Sequence, residues 1–295
     1  MQDLNRVNHP ASTVVSRFAP SPTGYLHLGH VRSAWEGWRA ARQAGGRFLL
    51  RIEDIDHTRC RVEYEEAIVE DLAWLGLGCD GPVRRQSEHF EDYRNALSRL
   101  EAEGLLYPCF CTRRDIQAEI ARAGGAPQGE IGAPYPGTCR RLSAAERDER
   151  RRGAADFAWR LDVAAALART GPLDFVEEGQ GEPRRVAADA AALGDVVLAR
   201  KEMPTSYHLA VTVDDALQGV TLVTRGADLL PATHIHRLLQ ALLHLPTPRY
   251  RHHPLLTDST GRRLAKRDRA LTIRAMRAAG MTADEVLAAA QSSGR

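Results

Sequence analysis

The stretch Arg17–His30, RFAPSPTGYLHLGH, predicts a ligand-binding loop between a strand and a helix. The apolar run Val14–Phe18 favours a short strand, and the apolar spacing further on predicts a helix over Leu28–Gln43. Ligands of open parallel sheets bind beyond the carboxyl ends of strands, where such helices begin. His27 and His30 lie one helical turn apart at this helix start, where backbone N–H groups and the helix dipole attract phosphate. Alternatively, the two imidazoles are partly buried groups at an ordinary helix cap.

The composition is that of a globular chain, with 43% hydrophobic and 26% charged residues among 295. A formal net charge of +2 does not by itself indicate a nucleic-acid-binding protein, although arginines cluster in Arg140–Arg152 and Arg262–Arg277. Five cysteines are an odd number for a disulfide framework and fit a reducing compartment. The first residues lack a signal-peptide pattern, and no apolar segment reaches the roughly 18 residues of a membrane span. We therefore expect a cytoplasmic protein.

Strand and helix signals alternate along the chain, which is typical of an α/β protein with a parallel sheet. Phe48–Ile52 predicts a strand, Val62–Leu75 a helix, and Ser87–Glu103 a helix capped by Ser87. Three further strands and a helix are predicted from apolar segments at Val196–Ala199, His208–Val213, Val220–Thr224 and Pro231–Leu243. The Gly- and Pro-rich segment Ala123–Gly137 indicates an insertion. The expected fold class is α/β, with a Rossmann-like doubly wound sheet.

Five segments of the chain resemble class I aminoacyl-tRNA synthetases of the glutamyl type. Arg17–His30 is similar to the signature RFAPSPTGxLHxGH of that family, and HLGH at its end occupies the family's HIGH motif. The other four segments follow in the family's order: Phe48–Asp56 (FLLRIEDID), Ser206–Asp215 (SYHLAVTVDD), Val223–Asp228 (VTRGAD) and Arg263–Arg267 (RLAKR), the last in the place of the KMSKS loop. The resemblance implies a catalytic domain over residues 14–270, a zinc-bearing insertion at about 107–145 and a short helical tail over 271–295.

A glutamate-binding site is consistent with the residue types in these segments. Glutamate carries two carboxylates and one ammonium, so a site for it should offer two cations and one acid. Arg17 and Arg225 can bind carboxylates, Glu53 can pair with the ammonium, and the Tyr207 hydroxyl can donate to a carboxylate oxygen. Taken singly, such residues are more often ordinary surface ion pairs. The resemblance implies that the amino-acid site is formed by Arg17, Phe18, Ala19, Pro20, Ser21, Glu53, Tyr207 and Arg225.

ATP binding is implied at the two signature motifs. In the family, the positions of His27, His30 and Lys266 stabilise the phosphates of ATP, together with Mg2+. Outside that context, a lysine in RRLAKRDR is most often a solvated charge. The loop departs from the family pattern, because Ala265 and Arg267 stand where serines are usual.

A metal site is indicated by Cys109, Cys111 and Cys139. A Cys-x-Cys pair on a strand turns two thiolates to one side, and a Gly-Pro loop can bring back a third. Tetrahedral zinc takes a fourth ligand, for which Tyr135 is the candidate, with histidine or water as alternatives. The cysteines could also be small buried hydrophobic groups. Short glutamyl-like members of the family have this pattern as a structural zinc site.

The resemblance implies activation of glutamate by ATP without tRNA, followed by transfer to the queuosine base of tRNA(Asp). Only 29 residues follow Lys266, so we expect no anticodon-binding domain. Two alternatives remain open: a minimal glutamyl-tRNA synthetase that charges the tRNA 3′ end, and a non-catalytic relative that binds tRNA. A monomer is expected.

Overall fold

The computed structural model of the chain describes residues 13–112, 114–115, 135–153, 156–179, 181–200, 203–256 and 272–292. The predicted lysine loop at 263–267, with Lys266, Ala265 and Arg267, lies outside these residues. Among the described residues, the helices are too short or too polar to cross a membrane.

Parallel strands, with the antiparallel strand β7 (Arg184–Ala187) at one edge, form the central sheet of the molecule. Strand β1 (Val15–Phe18) pairs with β2 (Arg47–Ile52), which pairs with β3 (Arg84–Arg85). A second group has the order β7, β6, β10, β9, and a hydrogen bond from the Thr221 N–H to the Val15 carbonyl (2.9 Å) joins β9 to β1. The strands of this second group are β6 (Asp174–Glu177), β7 (Arg184–Ala187), β9 (Leu222–Gly226) and β10 (Arg249–His253). These strands place the ends of β1, β2 and β9 side by side.

A separate antiparallel sheet comes from the middle of the chain. It contains β4 (Leu106–Cys109), β5 (Ala158–Leu161) and β8 (Val197–Arg200), with β5 in the centre. The predicted metal ligands Cys109 and Cys139 lie at its edge, because Cys109 ends β4 and Cys139 begins the short turn of helix that contacts it.

The helices cover the sheets and enclose two main cores. One core packs α1, α2 and the C-terminal helices around Phe48, Leu50 and Ile52 of β2. The other lies between α3, α5, α6 and α7. The bounds are α1 (Leu28–Gln43), α2 (Val62–Trp74), α3 (Phe90–Ala102), α4 (Ala144–Arg152), α5 (Val163–Thr170), α6 (Tyr207–Leu217), α7 (Leu230–Leu242), α8 (Ile273–Ala278) and α9 (Ala283–Gln291).

Close approach of α1 to the sheet depends on Gly37. The Ser16 hydroxyl donates to the Gly37 carbonyl at 2.6 Å, and a Cβ at this position would lie 2.9 Å from the Thr224 Oγ1. Because a larger residue would push the helix away, Gly37 fixes α1 across β1 and β9. The N-terminus of α1 is thereby held over the ends of these strands.

Most of the predicted elements are confirmed, including the α/β class with a Rossmann-like sheet and the helix over Leu28–Gln43. Two details were wrong. The segment His208–Val213 is not a strand but part of helix α6, which is buried on several sides. A short apolar run rich in β-branched residues does not distinguish a buried helix from a strand. Ser87 does not cap a helix: its hydroxyl donates to Asp54 at 2.5 Å, and α3 begins at Phe90.

Candidate active site

A cavity of about 560 Å³ lies at the ends of β1, β2 and β9, beside the N-terminus of α1. The structure brings around it every described residue that the sequence predicted for the amino-acid and ATP sites. These are Arg17, Phe18, Ala19, Pro20, Ser21, His27, His30, Glu53, Tyr207 and Arg225. They come from four separated segments, so the cavity exists only in the folded chain.

His27 and His30 form the N-terminal cap of α1. The His27 Nδ1 accepts from the Gly29 N–H (3.1 Å), and the His30 Nδ1 accepts from the His27 N–H (3.3 Å). A neutral imidazole that accepts at Nδ1 carries its proton on Nε2. The rings stack with their centroids 3.8 Å apart. Capping and ligand binding are therefore compatible, because the hydrogen bonds of the cap order both rings at the edge of the cavity.

Arg17 is anchored by Asp215 at the wall of the cavity. Its Nε donates to Asp215 Oδ1 (2.9 Å) and its Nη2 to Asp215 Oδ2 (3.4 Å), while Nη1 donates to the Thr224 carbonyl (3.4 Å). A guanidinium has five N–H groups, so one hydrogen on each of Nη1 and Nη2 is not used by these contacts. Arg17 thus has one fixed face and two donors for a second carboxylate.

Arg225 is a buried cation surrounded by uncharged groups. It donates to the Tyr207 hydroxyl (3.2 Å), His236 Nδ1 (3.2 Å), Thr233 Oγ1 (2.6 Å) and His252 Nε2 (3.2 Å). Within the described part of the chain no carboxylate lies within 4 Å of this guanidinium. A buried charge without a counter-ion is unfavourable, so the site favours binding of an anion here.

Glu53 provides the acidic group of the cavity. Burial raises the pKa of its carboxyl to about 7, although the charges of Arg51 and Arg17 act to lower it. Its nearest cation is Arg51, with Nη2 at 3.5 Å from Glu53 Oε1. A ligand ammonium placed against this carboxylate would favour the ionised form.

Sequence reasoning missed the buried ionic network behind these residues. Arg51 is fully buried and contacts Asp215 (2.9 Å), Asp214 (3.7 Å) and Glu53. Asp214 in turn accepts from Arg84 Nε (2.8 Å). The network joins three arginines, Arg17, Arg51 and Arg84, to the acids Glu53, Asp214 and Asp215, and Arg84 also pairs with the partly exposed Asp92 (2.7 Å). An arginine inside the apolar strand FLLRI was the sequence signal, because charged residues are seldom buried unpaired.

The three cysteines of the insertion come together as expected. The sulfur atoms of Cys109, Cys111 and Cys139 all lie within 4.8 Å of one another, and the Tyr135 hydroxyl is 3.4 Å from both Cys109 Sγ and Cys111 Sγ. Hydrogen bonding from Cys109 lowers the pKa of the Cys139 thiol below its ordinary value, which favours its thiolate. Three sulfurs and one phenol oxygen converging on one point fit a tetrahedral metal ion.

A second cavity, of about 900 Å³, separates the central sheet from the antiparallel sheet. It meets the first cavity at Ser21, Glu53 and Tyr207, and Tyr135 and Arg160 line its far side. The Arg160 guanidinium lies 3.9 Å from the centre of the Tyr135 ring. The metal-type cluster thus contacts the wall of the second cavity, whereas the first cavity contains the predicted glutamate and phosphate residues.

Comparison with known proteins agrees with this geometry. Residues 13–291 match the family model "tRNA synthetases class I (E and Q), catalytic domain". The fold resembles a crystal structure of a glutamate tRNA ligase from Elizabethkingia meningosepticum in complex with its amino acid, with a TM-score of 0.71 and 30% identity over 87% of this chain. This chain spans about half of that structure, 52% of its length. The chain therefore belongs to the class I aminoacyl-tRNA synthetase family and is a ligase of that type.

Relatives of similar length carry a more specific name. The chain is 50% identical over 280 residues to the glutamyl-Q tRNA(Asp) synthetase of Rhodobacter capsulatus, a match that covers 92% of this chain and 98% of the relative. It is 44% identical over 282 residues to the glutamyl-Q tRNA(Asp) synthetase of Nocardia farcinica, covering 96% of this chain and 85% of the relative.

Proposed function

We propose that this chain activates glutamate with ATP in the absence of tRNA and then transfers glutamate to the queuosine base in the anticodon of tRNA(Asp). The observation that carries the proposal is the first cavity, where two buried arginines and one carboxylate with only 10% of its side chain exposed face the same space. The names of the Rhodobacter and Nocardia relatives support the acceptor.

Glutamate fits the charges of this cavity. One carboxylate binds the two unused N–H groups of Arg17, and the other binds Arg225 together with the Tyr207 hydroxyl. Tyr207 already accepts from Arg225, so its own O–H is free to donate to the ligand. The ammonium pairs with Glu53. Glutamine would leave one arginine without a charged partner, and aspartate is too short to reach both.

The first chemical step is attack of a glutamate α-carboxylate oxygen on the α-phosphorus of ATP. The new P–O bond forms as the bond from the α-phosphorus to the bridging oxygen breaks, and pyrophosphate leaves with that electron pair. The Nε2–H groups of His27 and His30 donate to the phosphate oxygens, and Lys266 is assigned the same role. Mg2+ bound with ATP neutralises phosphate charge.

In the second step, a hydroxyl oxygen of the modified base attacks the carbonyl carbon of the adenylate. The C–O bond to AMP breaks, AMP leaves as an anion, and the hydroxyl proton passes to solvent. The second cavity opens onto Glu53 and Tyr207, so we assign the incoming base to it. The arginines of Arg140–Arg152 are suited to the phosphates of the anticodon loop.

We also propose one structural zinc at Cys109, Cys111, Cys139 and Tyr135. Cysteine sulfurs are preferred zinc ligands, whereas a phenolate is an unusual fourth one. Burial raises the pKa of the Tyr135 hydroxyl, so a metal ion must stabilise the phenolate if that oxygen is a ligand.

The acceptor is tested with radiolabelled glutamate, ATP and purified tRNA(Asp), with or without queuosine. Each tRNA is used intact and after removal of its 3′-terminal adenosine. We expect labelling of both queuosine-containing tRNAs and none of the tRNAs without queuosine, because the acceptor hydroxyl belongs to the modified base.

Labelling that disappears with the 3′ adenosine would instead indicate a minimal glutamyl-tRNA synthetase. Glutamate-dependent exchange of pyrophosphate into ATP, without tRNA, is the parallel assay for the first step. Its absence would favour a non-catalytic relative.

A further inference from the structure

One of the four acceptors around Arg225 depends on a carboxylate that lies behind it. His252 Nε2 accepts from Arg225 Nε (3.2 Å), and His252 Nδ1 is 2.7 Å from Glu177 Oε2. Glu177 Oε1 also accepts from the backbone N–H of His252 (2.9 Å). Both side chains are almost completely buried, with exposures of 4% for His252 and 6% for Glu177. The three residues therefore form a chain of hydrogen bonds that begins at β6 and ends at the cavity.

The donor at each step of this chain is determined by Arg225. A guanidinium Nε can only donate, so His252 Nε2 must accept and the ring proton must be on Nδ1. That proton is then donated to Glu177. Burial lowers the pKa of the His252 ring although Glu177 acts to raise it, which keeps the ring neutral near pH 7. Although burial acts to raise the pKa of Glu177, its hydrogen bonds with His252 bring it below the ordinary value.

We propose that Glu177 and His252 are positioning residues that fix Arg225 for recognition of the ligand carboxylate. Glu177 selects the Nδ1–H form of His252, and that form turns a lone pair, rather than an N–H, toward Arg225. The inference rests on the proposed glutamate site, and it adds two residues that determine the affinity of that site for glutamate.

The other contacts of Arg225 do not hold its Nε, which is bound by His252. Thr233 Oγ1 accepts from Nη2 and lies 3.2 Å from His252 Nε2, so His252 and Thr233 together hold the Nε and Nη2 side of the guanidinium. His236 and Tyr207 hold only Nη1. One hydrogen of Nη2 is not used by these contacts, and its direction is set by the side that His252 holds. Loss of that hold lets the group rotate away from the ligand carboxylate.

The test compares Glu177→Gln with wild-type protein in glutamate-dependent pyrophosphate exchange. A glutamine keeps the shape, but its amide NH2 donates to His252 Nδ1 and shifts the ring proton to Nε2, where it opposes Arg225. We expect KM for glutamate to rise roughly 10-fold or more, as hydrogen bonds to charged groups of this kind imply. KM for ATP and kcat should change less than about threefold, because these contacts do not reach the phosphates.

Two variants of His252 and a matched control complete the design. His252→Phe should give the same defect, and His252→Gln should recover most of the affinity, because its amide oxygen can accept from Arg225. Glu178→Gln is the control: Glu178 is the next residue, is similarly buried and pairs with Arg249 and Arg251 instead. It should leave KM for glutamate unchanged. Equal defects in Glu177→Gln and Glu178→Gln would indicate only a structural role and overturn the proposal.

A second measurement does not depend on glutamate. Nitrogen-15 NMR of the imidazoles should show the Nδ1–H form for His252 in wild-type protein and the Nε2–H form in Glu177→Gln, the resonance being assigned by its loss in His252→Gln. An unchanged tautomer would overturn the proposal even if KM rises. If the tautomer changes but wild-type protein does not activate glutamate, the proposed function fails and the assignment of this affinity role fails with it.

Discussion

Among single side chains, Glu53 connects the burial of the cavity to the pH at which it binds ligand. Its pKa is raised to about 7, so its carboxyl is protonated below that pH and ionised above it. Burial lowers the pKa of His208 to about 4 and also lowers the pKa values of His236 and His252, so these neighbours ionise at a lower pH than an ordinary histidine. Only the ionised carboxylate pairs with a ligand ammonium.

We therefore predict that the affinity for glutamate falls as the pH is lowered through about 7. The slope should approach tenfold per pH unit, as expected for one ionisation of the free enzyme. Calorimetric titration with glutamate alone, between pH 5.5 and 8.5, measures it. In Glu53→Gln the affinity should be weak and independent of pH. A variant that keeps the wild-type slope would assign the ionisation to another group.

Among the secondary-structure elements, Asp214 connects α6 to α3 and β3. Its carboxylate has no exposed surface and accepts from Arg84 Nε, Gln86 Nε2 (2.8 Å) and the Tyr93 hydroxyl (3.0 and 2.9 Å to its two oxygens). Asp214 and its three donors come from separate elements, so these hydrogen bonds exist only in the folded chain. Removing the charge takes one acid out of the buried network and leaves Arg51 with Asp215 and Glu53 and Arg84 with Asp92.

Asp214→Asn is predicted to lower the free energy of unfolding by about 3–5 kcal/mol, the usual cost of breaking a buried ion pair from one side. Urea denaturation followed by circular dichroism measures this. Asp174→Asn is the matched control, because Asp174 forms an exposed pair with Arg185 and should cost less than about 1 kcal/mol. Similar losses for both would show that the network contributes no more than a surface pair.

The elements also show how far sequence reasoning reaches. The helix Leu28–Gln43 was predicted at its observed bounds because apolar periodicity, a following Gly45 with φ +60° and a flanking strand all agree. Helix α6 was read as a strand because its burial on several sides removes the polar face that reveals a helix. Motif resemblance found the residues facing the cavity. Glu177 and His252 were missed, since their role depends on pairing of the distant strands β6 and β10, which no local pattern records. His236, on helix α7, was missed because only the tertiary fold brings it to Arg225.

For the folded chain as a unit, the cysteine cluster and the first cavity are on different sheets. Tyr135 and Arg160 connect the cluster to the second cavity only. A metal ion at the cluster should therefore matter more for the acceptor than for glutamate. This separation gives the two proposed steps different sensitivities to metal loss.

We predict about one zinc per chain by metal analysis of protein purified without chelator, and loss of that zinc in Cys139→Ser. Removing zinc should reduce transfer to tRNA by a larger factor than it reduces pyrophosphate exchange, because the cysteine cluster lies against the second cavity and not the first. Cys79→Ser, which changes an exposed free cysteine, should keep the metal. A wild-type protein that is folded and fully active without metal would refute the site.

The hydrogen bond between Thr221 and Val15, which joins β9 to β1, has a consequence for synthesis of the chain. The two residues are 206 positions apart, and Arg17 and Arg225 lie on the strands that this contact brings together. At ribosomal rates of about 5–20 residues per second, roughly 10–40 s pass between translation of one strand and of the other. During that interval the nascent β1–β2 pair has an uncovered edge and no partner for Arg17. Because the sheet closes late, every product that ends before β9 lacks Arg225, one of the two arginines of the first cavity.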